Sequence, residues 1–146
     1  MNLVDANVLL YAVNEAEPRS EGTREWLDAA LVGAESVGFA WLVLTAFVRL
    51  STKVGLFPNP LTVEQAIGQV RAWIGAPAAV IIQPTARHLD VFVDLIASVG
   101  TGGNLVNDAH LAALAIEHRG TVISYDRDFG RFAGVRWRHP GAPSAA

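Results

Sequence analysis

The fold is decided by residues 2–13, which read NLVDANVLLYAV. Residues 2–4 predict a short β-strand, and the apolar run from 6 to 13 predicts the start of a helix. Asp5 stands between the two. The stretch therefore predicts a strand that turns at once into a helix, with a carboxylate at the junction.

The rest of the sequence continues this alternation of strand and helix. Further strands are predicted at 37–39, 80–82, 121–124 and 135–137, further helices at 19–31, 41–52, 62–74, 85–98 and 107–118, and a short turn or helix at 129–132. The alternation predicts one α/β domain at 1–139, with a short, mostly parallel sheet flanked by helices on both faces, and then a flexible tail at 140–146. Ligand sites of such sheets lie just beyond the carboxyl ends of the strands.

The composition is that of a folded domain without a membrane span. Of the 146 residues, 51% are hydrophobic and 17% are charged, which is apolar enough for a core. The longest uncharged apolar stretch, 36–48, is shorter than the roughly 18–20 residues of a spanning helix. Asp5 stands where a signal peptide would carry lysine or arginine, so we expect a cytoplasmic protein. The absence of cysteine excludes disulfides, thiolate nucleophiles and cysteine-based zinc sites.

The net charge of −3 counts mildly against a protein that binds nucleic acid by charge alone. It counts less if the acids surround divalent cations, because each cation cancels two negative charges. The basic residues are almost all arginine, whose planar guanidinium suits phosphate, although a GC-rich genome gives the same bias.

Carboxylates fall where an α/β sheet places its ligand site. Asp5 follows the first strand, and Asp126 follows the late strand, with Asp128 two residues further on. Asp108 opens a helix on the same stripe as small apolar residues, so we expect it at the edge of the core, where a charge must be compensated. Carboxylates without cysteine or paired histidines are the ligand set of Mg²⁺ or Mn²⁺, which can activate water for attack on a phosphate.

Each acid also has a purely structural explanation. Asp5 can cap a helix, Asp108 can complement a helix dipole, and Asp126 and Asp128 can be turn residues. For Asp128 the turn is the favoured interpretation. The convergence of the other three on one edge of one sheet is what favours a metal site.

Other polar and aromatic groups give weaker signals. His88 and His139 have no evident partner, and we expect surface or core positions for all four histidines. The glycine-rich loop at 100–105 lacks the pattern of a phosphate loop and predicts a flexible connection. The tryptophans at helical positions are expected in the core or an interface rather than as base-stacking platforms: Trp26, Trp41 and Trp73.

Three stretches together resemble the VapC family of toxin ribonucleases, within the PIN-domain superfamily. They are VDANVLLYA at 4–12, NLVNDAHLAALA at 104–115 and SYDRDF at 124–129. The resemblance covers nearly the whole chain in order and spacing, and the set of stretches is more specific than any one of them.

The resemblance implies the toxin of a type II toxin–antitoxin system that cleaves RNA endonucleolytically with Mg²⁺, for which Mn²⁺ can substitute. It implies that Asp5, Asp108 and Asp126 are the catalytic metal ligands, with Asn7 and Asp128 as supporting groups behind them. It further implies a homodimer and neutralisation by a cognate VapB-type antitoxin.

One departure from the family concerns a glutamate that usually stands on the helix after the second strand. The corresponding stretch here, LTAFVR at 44–49, has no acid at Thr45, Ala46 or their neighbours. The site is then expected to hold one metal firmly and a second only with substrate. Arg49, a turn onward, is a candidate for contact with an RNA phosphate.

Two other classes of function compete with the nuclease, a binding module and a phosphatase or phospho-acceptor domain. A PIN-like domain that has lost catalysis and acts as an RNA- or protein-binding module would explain the missing glutamate, but it has no electrostatic reason to keep three aspartates together. A phosphatase of the haloacid-dehalogenase type needs Asp-x-Asp after the first strand, where this chain has Asp5 and then Asn7. A receiver domain needs a late lysine, and the single lysine is Lys53.

Overall fold

The computed structural model describes residues 1–103 and 105–143. Its strands are β1 (Asn2–Val4), β2 (Val37–Phe39), β3 (Ala79–Ile81), β4 (Thr121–Ile123) and β5 (Trp137–Arg138). Its helices are α1 (Ala6–Val13), α2 (Ser20–Leu31), α3 (Trp41–Ser51), α4 (Val63–Ile74), α5 (His88–Val99) and α6 (Leu105–Glu117), with a 3₁₀ helix at Arg127–Arg131. Asn104 of the glycine-rich loop and residues 144–146 of the expected tail lie outside the described residues.

The strands form one parallel sheet in the order β3-β2-β1-β4-β5. The direction of winding reverses between β1 and β4, because the chain leaves β1 for β2 and β3 and then crosses back. Because crossovers between parallel strands are almost always right-handed, this topology puts α1–α4 on one face and α5 and α6 on the other. The packing of α1 against α2 and α3, and of α5 against α6, agrees with this division. The expected parallel sheet with helices on both faces is confirmed.

The centre of the sheet is buried on both faces, as helix layers above and below require. Side chains with no exposed surface come from β1, β2 and β4, namely Leu3, Val4, Val37, Phe39, Val122 and Ile123. Strands this apolar are stable only when helices cover both faces of the sheet, so the sheet and the two helix layers stabilise one another. Within the described residues, no helix combines the length and the apolar character needed to cross a membrane.

Some boundaries differ from those predicted from the sequence. The fifth helix begins at His88 rather than at residue 85, because Thr85 donates from its N–H and its hydroxyl to Glu117 Oε1, at 2.9 and 2.6 Å, and is held in a turn. The sixth helix begins at Leu105 rather than at 107, with the Leu105 side chain buried in the core. β3 begins one residue earlier than predicted, and β5 lies at 137–138 rather than at 135–137.

Phe47 fixes α3 against α4, and its truncation should show how much that contact stabilises the fold. The side chain has no exposed surface, and its ring meets that of Trp73 edge-on, with centroids 4.8 Å apart. We expect Phe47→Ala to lower the free energy of unfolding in urea by about 3–5 kcal/mol, because it loses buried apolar area and leaves a cavity. Val32→Ala, at a side chain that is 71% exposed, should change it by less than about 0.5 kcal/mol. Equal effects of the two substitutions would contradict this packing.

Candidate metal centre

The aspartates gather at the carboxyl edge of the sheet, at its topological switch point. Asp5 directly follows β1, and Asp126 follows β4 after Ser124 and Tyr125. β1 and β4 are neighbours in register, with Val4 opposite Ile123. Parallel sheets bind ligands where the strand order reverses, because the loops diverge there and leave a crevice. The sheet therefore brings Asp5 and Asp126 together from positions far apart in the sequence.

Asp5 is held by hydrogen bonds to both carboxylate oxygens. The Ala6 N–H donates to Oδ1 at 2.7 Å, as expected for the cap of α1. Oδ2 accepts from the Ser124 hydroxyl at 2.7 Å and from the Asn7 amide at 3.1 Å. The Asn7 amide also donates to the Ser124 hydroxyl oxygen at 2.9 Å. The capping role and a place in the acidic site are thus compatible in one residue.

Asp126 and Asp128 are oriented by the turn that follows β4. The Asp126 N–H donates to the Ser124 hydroxyl oxygen at 2.9 Å. The Asp126 carboxylate then accepts from the Asp128 N–H at 2.8 Å and caps the short 3₁₀ helix. Both aspartates therefore do stabilise the turn, as considered from the sequence, and the turn brings their carboxylates close together.

Asp108 completes the cluster from the first turn of α6. One carboxylate oxygen from each of Asp108, Asp126 and Asp128 lies within 4.8 Å of the others, close enough for a single cation. Asp5 lies outside this set of distances, although it is near enough to Asp108 and Asp126 for charge repulsion. The structure thus groups Asp128 with two of the expected ligands, whereas the sequence analysis gave it only a supporting role.

Burial and charge repulsion raise the pKa values of Asp5 and Asp108. The pKa of Asp108 is raised from 3.8 to about 7, first by burial and then by the charges of Asp5, Asp126 and Asp128. Burial also raises the pKa of Asp5, against the lowering effect of the Ser124 and Ala6 hydrogen bonds. A cation bound beside Asp5 and Asp108 would favour their ionised forms and so remove this electrostatic cost. The donor set, oxygen only, fits Mg²⁺ or Mn²⁺.

A cleft of about 510 Å³ opens beside the acids and is lined by Asp5, Asp108 and Arg49, among others. Thr45 and Ala46 of α3 form part of its wall, so the place where the family usually carries a glutamate faces this cleft without an acid. The Thr45 hydroxyl donates to the Trp41 carbonyl at 2.8 Å, back along its own helix. Arg49 is exposed at the rim, as its assignment to a phosphate contact requires.

Two histidines belong to a hydrogen-bonded chain that joins α5 to α6. His88 Nδ1 lies 2.6 Å from Glu117 Oε2, and His88 Nε2 lies 2.9 Å from His110 Nδ1. The expectation that His88 has no partner is therefore wrong. Neither sequence spacing nor residue type indicated these hydrogen bonds, because only the packing of the two helices brings the three side chains together. His139 lies beside the rings of Tyr125 and Trp137.

Ser124 is the residue of the site that the sequence analysis passed over. Its hydroxyl is fully buried and connects Asp5, Asn7 and the Asp126 N–H. Its position directly after a buried strand is the signal that could have identified it. The Asn7 side chain extends the same network, since its Oδ1 accepts from the Tyr125 N–H at 3.1 Å.

Known proteins resemble this chain over nearly its full length. A family model described as PIN domain matches residues 3–135. Ribonuclease VapC37 of Mycobacterium tuberculosis is 61% identical over 142 residues, which are 97% of this chain and 99% of that protein.

Two solved structures share the fold. VapC20 of Mycobacterium tuberculosis, described as a sarcin-ricin loop cleaving toxin, has a TM-score of 0.67 at 14% identity, covering 93% of this chain and 99% of that one. VapBC2 of Rickettsia felis, bound to a promoter DNA fragment, has a TM-score of 0.66 at 16% identity, covering 94% and 97%.

The raised pKa of Asp108 makes the stability of the metal-free protein depend on pH. A carboxyl whose folded pKa is raised stabilises the fold while it is protonated, and this contribution is lost as pH rises from 3.8 through about 7. We therefore expect the free energy of unfolding of Asp108→Asn, relative to the parent protein, to increase across this window in urea titrations with EDTA. Asp28→Asn, at an exposed position of α2, is the matched control and should show no such trend. A difference for Asp108→Asn that does not change with pH would contradict the shift.

Proposed function

The chain belongs to the PIN-domain family, within its VapC group, and we propose that it is a metal-dependent endoribonuclease, the toxin of a type II toxin–antitoxin pair. The observation that carries the proposal is the aspartate cluster at the switch point of the sheet, in a chain 61% identical to a named VapC ribonuclease. The same cluster would fit other phosphodiester chemistry, and the relative's name favours RNA.

Asp5, Asp108 and Asp126 are the proposed ligands of the cation, and Asp128 joins them because of its distance to Asp108 and Asp126. When bound, Mg²⁺ or Mn²⁺ supplies Lewis acidity to the phosphodiester and lowers the pKa of the attacking water. Asn7 and Ser124 orient the Asp5 carboxylate through the hydrogen bonds described above, so they position a ligand rather than contact the substrate.

The missing acid on α3 sets the expected number of cations. With Thr45 and Ala46 on that wall of the cleft, the carboxylates all come from the side of β1, α6 and β4. We propose one tightly bound cation in the free protein and a second that binds only with RNA, whose phosphate supplies the absent oxygen. Arg49 lies on the same wall and contacts a phosphate of the strand.

The alternative, a PIN-like binding module without catalysis, is less consistent with the charges of the site. Burial, and then the charges of three neighbouring aspartates, raise the pKa of Asp108 to about 7, an electrostatic cost from which a binding module gains nothing. A module that binds RNA would also be better served by replacing these acids, since they repel phosphate.

We propose a homodimer and a VapB-type antitoxin as the protein partners. The support is apolar surface next to the cleft: Trp41 is 51% exposed at the start of α3, and Leu89 is 69% exposed on α5. A partner of the VapB type is also consistent with the structural relative from Rickettsia felis, which is VapBC2.

RNA cleavage tests the central proposal. Purified protein incubated with total cellular RNA should yield discrete fragments with Mg²⁺ or Mn²⁺ and none with EDTA. Asp108→Asn should reduce the rate by about 100-fold or more, because the cluster loses a charged ligand. The ends of the fragments would identify the target RNA.

Asp28→Asn is the matched control for this assay, because it makes the same chemical change at an exposed position. Calorimetric titration with Mn²⁺ in the absence of RNA should show one tight site in the parent protein and none in Asp108→Asn. Two tight sites would contradict the one-cation proposal. A folded protein that cuts no RNA under any of these conditions would favour the binding module.

The partner proposal has its own test. Light scattering of the chain alone should give the mass of two copies, and addition of the cognate antitoxin should suppress the cleavage of RNA. Trp41→Asp should weaken this suppression by placing a charge in the apolar contact, whereas Val32→Asp, at a similarly exposed apolar position, should not. A monomeric mass would rule out the homodimer, and unaltered cleavage with antitoxin would rule out that partner.

A further inference from the structure

Arg19 is held in an unusual position for an exposed arginine, against two tyrosine rings. Its guanidinium carbon lies 4.6 Å from the centroid of the Tyr11 ring and 4.5 Å from that of Tyr125. The two rings are 5.0 Å apart, so the guanidinium fits into the notch between them. Arginine over a tyrosine face is a favourable contact of a cation with a ring quadrupole. The side chain is nevertheless 50% exposed, which leaves the cation accessible from solvent.

Hydrogen bonds define the direction of this guanidinium. Its Nε donates to Glu17 Oε1 at 3.0 Å, and Nη2 donates to the Tyr11 hydroxyl at 3.2 Å. Nη1 has no acceptor within the described residues. Two bonds and two ring contacts thus fix the orientation of the fork, while part of its hydrogen-bonding capacity stays unused.

The notch is tied directly to the acidic centre. Tyr125 lies between Ser124 and Asp126, and its N–H donates to Asn7 Oδ1 at 3.1 Å. Its hydroxyl is paired with the Thr23 hydroxyl at 2.5 Å, which anchors the ring to the first turn of α2. Arg19 therefore packs on a residue, Tyr125, whose backbone is bonded to the network that orients Asp5.

We propose that Arg19 binds a backbone phosphate of the RNA strand that reaches the acidic centre. The inference rests on the proposed function, which brings a polyanion to the acidic centre. Planar guanidinium groups bind phosphate through two parallel hydrogen bonds, and a group already fixed by stacking loses little freedom on binding. A fixed cation against the ring of Tyr125, the residue before Asp126, also offers the strand a positive contact in a chain whose net charge is −3.

A purely structural role for the stack, joining α2 to the loop after β4, is the competing explanation. It predicts that loss of Arg19 lowers stability and leaves RNA affinity unchanged. An acidic segment of a protein partner is the other candidate occupant, and it predicts loss of partner binding alone. The experiment has to separate these two from a phosphate contact.

The test is the binding of a fluorescent, short, single-stranded RNA pool of randomised sequence, measured by anisotropy in EDTA at several KCl concentrations. Arg19→Gln should weaken binding about tenfold, the loss expected for a hydrogen-bonded charge contact. It should also reduce the slope of log affinity against log salt by about 0.7, the value for one phosphate contact on a single strand. Arg19→Lys should keep the slope but bind more weakly than the parent, since it keeps the charge without the fork.

Arg71→Gln is the matched control, because Arg71 is an exposed arginine on α4 and the charge change is the same. It should leave both affinity and slope unchanged, and thermal melts should show that all variants are folded. Arg19→Gln binding equal to that of the parent, with or without a lower melting temperature or weaker partner binding, would overturn the proposal. So would a parent protein that does not bind the RNA pool.

The outcome is separable from the cleavage assay. A parent protein that cleaves RNA while Arg19→Gln binds normally would refute only the phosphate contact. A parent protein that never cleaves, but whose RNA binding falls with Arg19→Gln as stated, would refute the nuclease and leave the phosphate contact standing.

Discussion

Repulsion among carboxylates is the constraint on which the rest of this structure depends. A parallel sheet that reverses its winding between β1 and β4 places the residues after those strands side by side. Here those residues are Asp5 and Asp126, and α6 and the 3₁₀ helix add Asp108 and Asp128. Four like charges in one place oppose folding unless hydrogen bonds, protonation or a cation compensate them.

The compensation that the chain itself provides is uneven. Asp5 receives hydrogen bonds from a hydroxyl, an amide and a backbone N–H, and Asp126 receives one from the Asp128 N–H. Asp108, which has the least support, is the acid whose pKa rises to about 7. The protein thus compensates the charge of Asp5 by hydrogen bonds but leaves that of Asp108 uncompensated. A divalent cation bound at the site would supply the missing positive charge.

The sequence predicted the parts of this arrangement that follow from local pattern and from the rule for parallel sheets. Asp5 and Asp126 were placed correctly because each follows a strand, and the place of a strand's carboxyl end does not depend on detailed packing. Asp128 was assigned a supporting role, since only the tight 3₁₀ turn, which begins with the Asp126 cap, aims both carboxylates at one point. The metal-ligand roles themselves stay predictions.

What could not be predicted depends on contacts between distant segments. The bond from His88 to Glu117 requires α5 to pack on α6, and the notch that holds Arg19 requires α1, α2 and the loop after β4 to meet. Observed helix boundaries differ from the predicted ones for the same reason. Thr85, for example, lies in a turn because of its bonds to Glu117. Each of these contacts joins residues whose separation along the chain carries no periodic signal.

The proposed phosphate contacts bear on how an acidic protein would approach a polyanion. The net charge of −3 does not favour affinity for a polyanion through total charge. Individually fixed cations can replace it, because a guanidinium already oriented by its neighbours contributes contact energy with little entropic loss. Arg49 stands on the cleft wall that lacks an acid, and Arg19 is fixed against the ring of Tyr125, the residue before Asp126. If both arginines bind phosphates as proposed, the positions of these two cations, rather than the total charge, determine where the backbone meets the carboxylates.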